Sequence, residues 1–142
     1  MKPRILLVDD EQEFVQTLAE RLQMRDMDSY AVFDGPAALA QVQSHPPQIL
    51  IIDLKMPGMD GIQVLKMVKQ THPGIQIIIL TGHGSEQDKI ICMHLGAFAY
   101  FQKPVDIDRL ITAIRQGYEM ILSNDQKTAV CDRHPRTGSR KP

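Results

Sequence analysis

Residues 6–11 read LLVDDE: three apolar positions, then Asp9, Asp10 and Glu11 in succession. A further acid, Asp53, follows the apolar run Ile49-Leu50-Ile51-Ile52, Thr81 follows the run Ile75–Leu80, and Lys103 stands just after Ala99-Tyr100-Phe101. Carboxylates gathered at the end of an apolar run are unfavourable alone, since two of them about 5 Å apart at an effective dielectric of roughly 20 repel by about 3 kcal/mol. A polyvalent cation removes that repulsion. Mg2+ suits an all-oxygen set, keeps several waters, and is commonly held by a few carboxylates together with a substrate phosphate. No His or Cys lies in the cluster, which argues against zinc. A carboxylate with a metal on one side and an ammonium on the other can accept a phosphoryl group, because attack on phosphorus gives an acyl phosphate. Positive groups then offset the charge on the equatorial oxygens during transfer. In this scheme Asp9 and Asp10 hold the ion and Asp53 is the nucleophile. Lys103 is a point charge on one phosphoryl oxygen, and Thr81 donates its hydroxyl to another.

That chemistry requires residues distant in the chain to converge, so the intervening elements must bring them together. Ile5–Val8, Tyr30–Phe33, Ile49–Ile52, Ile75–Leu80 and Ala99–Phe101 read as five short strands. The third is apolar at consecutive positions, as expected of a strand covered on both faces. Between them lie helical stretches. Phe14, Leu18 and Leu22 mark one face of a helix over 12–24. Asp34-Gly35-Pro36 starts a second helix that runs to about Gln43. A third covers 62–70, and Ser85 caps a fourth over 86–95 whose apolar residues are spread around its circumference. Asp106 caps a fifth, with Ile107, Leu110, Ile111, Ile114, Tyr118 and Ile121 on one face. Five strands alternating with five helices predict an α/β fold, a doubly wound (βα)5 domain with a parallel sheet covered on both sides. In such sheets ligands bind outside the carboxyl ends of the strands, where the three acids, the hydroxyl and the amine all fall.

The chain has 142 residues, 43% of them hydrophobic and 23% charged, with a net charge of −1. That length suits one domain with its own core, and the charge balance gives no field favouring nucleic acid or an anionic membrane. MKPRILLVDDE carries too short an apolar stretch for a signal peptide, and no run approaches a membrane span. Cys92 and Cys131 form no framework of spacings, so a reduced, cytoplasmic protein is expected. Cys92 reads as helix filling. From Asn124 onward periodicity is lost and Lys127, Arg133, Arg136, Arg140 and Lys141 outnumber Asp125 and Asp132. Residues 1–123 are therefore expected to form the domain, and 124–142 a basic, disordered tail or linker stub. Cys131 and His134 have the spacing of half a metal site, but no second pair accompanies them.

The blocks LLVDDE, IIDLKMPGMDG, ILTGHG and AYFQKP, in this order, resemble the signature of the response-regulator receiver domain of two-component signalling. The similarity runs from about Arg4 to Leu122. It implies the flavodoxin-like strand order 2-1-3-4-5 and phosphorylation of Asp53 by the phosphohistidine of a sensor histidine kinase or histidine phosphotransfer protein. It also implies Mg2+ (or Mn2+) held by Asp9, Asp10, Asp53 and the backbone carbonyl of Lys55, with Thr81 and Lys103 as phosphate contacts. Thr81 and Tyr100 match the family's switch pair, and the Lys103-Pro104 peptide matches one that is cis in the family. Side chains at Lys55 and His83 occupy positions that influence dephosphorylation there.

The implied function is a phospho-accepting signalling domain that takes part in its own phosphorylation and dephosphorylation, and is not an enzyme proper. Phosphate on Asp53 would change the face formed by the fourth helix, fifth strand and fifth helix, altering affinity for a protein effector or an output domain. A phosphorylation-dependent homodimer stays open, whereas direct nucleic-acid and membrane contacts are not expected. No output motif follows the last helix, so a stand-alone receiver and a piece of a longer regulator both fit. Two alternatives belong to other classes. A haloacid-dehalogenase-like Mg2+ phosphatase would carry its second acid two residues after the nucleophile, unlike the adjacent pair here. A phosphorylation-independent pseudo-receiver would not need Asp9, Asp10, Asp53, Thr81 and Lys103 intact.

Overall fold

A computed structural model describes the backbone of residues 2–133 and the side chains of residues 2–124. The elements are β1 (Arg4–Val8), α1 (Gln12–Gln23), β2 (Asp28–Val32), α2 (Gly35–Ser44) and β3 (Ile49–Ile52). After these come α3 (Gly61–Thr71), β4 (Gln76–Thr81), α4 (Glu86–His94), β5 (Ala99–Gln102) and α5 (Ile107–Arg133). The strands form one all-parallel sheet in the order β2-β1-β3-β4-β5, the anticipated doubly wound architecture.

The period of two along each strand divides the core between the two faces of the sheet. Leu6, Val8, Leu50, Ile52, Ile77 and Ile79 point to one side, where Ala38 and Val42 of α2, Val64, Leu65 and Val68 of α3, and Cys92 of α4 cover them. Ile5, Leu7, Ile49, Ile51, Ile78 and Leu80 point to the other and pack under Val15, Leu18 and Leu22 of α1 and Leu110, Ile111 and Ile114 of α5. Both faces are dry, which is why β3 and β4 read as unbroken apolar runs.

Local chemistry sets where the helices begin. The Asp34 carboxylate accepts the Ala37 N–H at 2.7 Å at the start of α2. Ser85 and Asp88 form a reciprocal capping box at α4, and Asp106 accepts the Asp108 N–H at 3.0 Å at α5. A second capping box, Asp60 with Gln63, starts α3. Gly61 begins that helix because a Cβ there would collide with the Asp53 carbonyl and the Leu54 backbone. The helix can therefore lie directly against the chain that carries Asp53.

Two expectations shift, while α4 keeps the spread of apolar residues anticipated for it. β2 begins at Asp28, two residues early, because Arg4 pairs with Asp28 and the ladder runs from there to Val32 opposite Val8. α4 buries only Cys92, leaving Ile90, Ile91 and Met93 62%, 38% and 41% exposed. The backbone of 124–133 is helical where an unstructured tail is anticipated. No proline interrupts the chain between Pro104 and Pro135, and Gly117 is the sole glycine within α5, so nothing local stops the helix. Residues 134–142, and with them the Cys131–His134 spacing, lie outside the described residues.

Candidate functional site

The site is assembled by the ladder of the sheet. Val8 pairs with Ile52 and Ile52 with Ile79, so the residues following β1 and β3 lie at one level. The main chain continues this pairing one step beyond the strands. The Asp9 N–H donates to the Val32 carbonyl at 3.2 Å, the Asp53 N–H to the Val8 carbonyl at 3.0 Å, and the Lys103 N–H to the Thr81 carbonyl at 2.9 Å. Asp9, Asp53, Thr81 and Lys103 thus hold fixed main-chain positions at the carboxyl edge, as the alternation of strands and helices implies.

The three acids converge. Asp9, Asp10 and Asp53 each offer a carboxylate oxygen within 4.8 Å of the others, with Asp9 and Asp53 buried and Asp10 exposed. The Asp53 Oδ1 is buried and has no hydrogen-bond partner among the described residues. A buried oxygen in that state costs about 1–3 kcal/mol unless something satisfies it. Hard oxygen donors only, one of them orphaned and all close together, fit a small divalent cation such as Mg2+.

Lys103 enters from the far edge over a cis Lys103–Pro104 peptide, as the resemblance implies. Its Nζ donates to Asp9 Oδ2 and to Glu11 Oε1, both at 2.7 Å, and stands 4.3 Å from the centroid of the Phe14 ring. Burial works against the Lys103 charge, but the bonds to Asp9 and Glu11 and the nearby charges of Asp9 and Asp53 outweigh it, holding the ammonium above its ordinary pKa. Burial also lifts the Asp9 carboxyl above the usual range, against the pull of Lys103 and of the Glu11 N–H; the charge of Asp53 adds to that rise. Glu11, largely exposed, is lowered first by its Lys103 hydrogen bond and then by the same charge.

Thr81, the last residue of β4, is fully buried, and its Oγ1 accepts the His83 N–H at 3.3 Å. Tyr100 in β5 is half-buried, yet its hydroxyl is buried and unpartnered among the described residues. That hydroxyl occupies the space a Cβ on Gly84 would need, and the same Cβ would lie 2.8 Å from the Thr81 methyl. Thr81, Gly84 and Tyr100 are therefore in one packed group, with Gln102 Nε2 donating to the Gly84 carbonyl at 2.8 Å. The described tyrosine already directs its hydroxyl inward. Lys55 is exposed, two residues past Asp53.

Of the residues singled out from the sequence, Asp9, Asp10 and Asp53 meet, and Lys103 joins them through Asp9. Thr81 and Tyr100 adjoin each other beside the β4–α4 loop. Three participants escaped notice: Glu11 and Phe14 as neighbours of the Lys103 ammonium, and Gly84 beneath Tyr100. Glu11 was visible as the third acid of LLVDDE, whereas Phe14 read only as a helix-face residue.

The model of the response regulator receiver domain family matches residues 5–115. The chain is 33% identical over 113 residues to the DNA-binding transcriptional regulator NtrC of Salmonella typhimurium, covering 80% of this chain and 24% of that protein. It is 38% identical over 112 residues to the transcriptional regulatory protein CpxR of Klebsiella pneumoniae, covering 79% and 47%. It thus spans about a quarter and about half of the length of these two curated relatives. A crystal structure of a response regulator receiver domain protein from Clostridium thermocellum superposes with a TM-score of 0.79 at 30% identity, covering 83% of this chain and 95% of that one. Neither the phosphatase nor the pseudo-receiver alternative is favoured by these matches. No helix among the described residues is long and apolar enough to cross a membrane.

Proposed function

This chain belongs to the response-regulator receiver family of two-component signalling, and from that premise we propose that it is a switch operated by phosphorylation of Asp53. An Asp53 carboxylate oxygen attacks the phosphorus of a phosphohistidine presented by a sensor histidine kinase or phosphotransfer protein. The new P–O bond forms as the P–N bond breaks, and the imidazole leaves with the electron pair and is neutralised by a proton. Asp9, Asp10 and Asp53, with the backbone carbonyl of Lys55, would hold Mg2+ (or Mn2+), which when bound supplies positive charge to the transferring group. Lys103 contributes the second positive charge, and Thr81 donates its hydroxyl to a phosphoryl oxygen. The observation that carries this assignment is the buried Asp53 Oδ1, without a partner among the described residues, inside a triad of carboxylates and beside an ammonium.

Phosphate on Asp53 adds charge and acceptor oxygens at the strand ends. Thr81 is drawn toward them, and the β4–α4 loop follows. Tyr100, packed against Gly84 and the Thr81 methyl, redistributes between positions as that space changes. The readout surface is the face of α4, β5 and α5, where Ile90, Ile91 and Met93 of α4 are exposed apolar groups available to a protein partner. That partner is a downstream effector, an attached output domain or a second phosphorylated copy. The domain acts in the cytoplasm without direct nucleic-acid or membrane contact.

Intact-mass analysis after incubation with acetyl phosphate and Mg2+ tests the acceptor. The wild type is expected to gain one phosphoryl group and Asp53→Ala none. An equal gain in both proteins rejects Asp53.

A further inference from the structure

The Lys103 ammonium has three N–H donors. Asp9 and Glu11 take two of them at 2.7 Å, and the Phe14 ring lies 4.3 Å away. Asp53 stands close enough for its charge to favour protonated Lys103, yet receives no hydrogen bond from it, and its Oδ1 has no partner among the described residues. Residue 11 braces this arrangement twice: its backbone N–H donates to Asp9 Oδ1 at 2.9 Å while its carboxylate takes the ammonium that also bonds Asp9 Oδ2.

We infer that Glu11 is a positioning residue that holds the Lys103 ammonium away from Asp53 in the resting protein and yields it to an arriving phosphoryl oxygen. The choice between the two acids follows from exposure. The Asp9 side chain is 5% exposed, and stripping its cation would leave a buried charge unpaired, a costly state. The Glu11 side chain is 61% exposed and is rehydrated as soon as it lets go. Exposed ion pairs are weak, so Glu11 restrains the lysine without locking it. Glu11 therefore sets how tightly the site takes a phosphoryl group, independently of how it takes the metal.

The inference rests on Asp53 as acceptor, and the test separates the two. Beryllofluoride, a phosphoryl mimic, is titrated at saturating Mg2+ into wild type, Glu11→Gln and Glu11→Asp, with binding read from backbone amide NMR shifts and Mg2+ affinity measured separately. Glu11→Gln abolishes the charge, whereas Glu11→Asp keeps it on an arm one methylene shorter. Both variants are expected to bind beryllofluoride about two- to fivefold more tightly than wild type, the range available to an exposed ion pair. A structural role would instead weaken both ligands together. Unchanged or weaker beryllofluoride binding in Glu11→Gln overturns the inference. So does a Glu11→Asp variant that matches wild type, since charge without contact would then be sufficient. If wild type itself takes no beryllofluoride, it is the acceptor assignment that fails.

Discussion

Tyr100 keeps its hydroxyl buried and without a partner among the described residues, in space left open by the missing side chain of Gly84. Such a group is held by packing against the cost of its lost hydration, so a small change at residue 84 should decide its position. Gly84→Ala is expected to displace the ring outward and to make Tyr100 react with N-acetylimidazole roughly tenfold faster; an unchanged rate would show that the loop yields in place of the ring. Cys92 behaves differently, because nothing about it is poised. Burial first, then the charges of Asp88 and Asp60, push its thiol up to about 11. The reactive form is the thiolate, so the raised pKa and the burial both keep Cys92 inert near neutral pH. Alkylation by iodoacetamide in a Cys131→Ser background should be much slower than that of a free thiol at pH 8, and should approach the free-thiol rate when urea unfolds the domain. Labelling at the rate of a free thiol would contradict the burial. Asp9, Asp10, Asp53, Thr81 and Lys103 were legible as residues because each follows an apolar run. Which two of the three adjacent acids receive the ammonium was not, since Asp9, Asp10 and Glu11 follow one another in sequence and only side-chain reach and burial separate Asp9 and Glu11 from Asp10.

The elements are legible in the sequence where burial is one-sided or complete, and less so where tertiary contacts override pattern. Strands β3 and β4 are apolar without interruption because both faces are covered, and α1 and α5 show a single apolar stripe against one face of the sheet. α4 blurred because three of its apolar residues face solvent while only Cys92 packs inward; its helical period had little core to follow. The α3 capping box is hidden in the sequence because Asp60 lies in a loop rich in Gly and Pro, where an acid reads as turn chemistry. Asp60 accepts the Gln63 N–H at 2.9 Å and Gln63 returns the bond to the Asp60 N–H. Asp60→Ala is therefore expected to lower unfolding free energy by about 1 kcal/mol, read from the urea midpoint at constant slope. No change in midpoint would mean that the packing of Val64, Leu65 and Val68 alone sets the start of the helix.

At the scale of the whole molecule, a parallel sheet with dry cores on both faces turns positions far apart in sequence into one rim, and the rim concentrates negative charge. Mutual repulsion among Asp9, Asp10 and Asp53 opposes folding when no cation is present, and binding to the native state alone stabilises it. Wild-type unfolding should shift upward with Mg2+, by about 1.4 kcal/mol at ten times the dissociation constant. Asp10→Asn should be more stable than wild type in EDTA and gain little from Mg2+. A variant with the full Mg2+ gain would remove Asp10 from the ion site. Which resting state the proposed switch would hold and which partner it would serve are not legible in the sequence, because both depend on small free-energy differences between states and not on any one pattern of residues. The most direct measurement of the central claim is chemical mapping of the labelled residue. After acetyl phosphate and Mg2+, borohydride reduces an aspartyl phosphate to homoserine, which tandem mass spectrometry locates. The account predicts homoserine at position 53 and nowhere else; homoserine at position 9 or 10, or a phosphoryl group that survives at a residue other than Asp53, would contradict it.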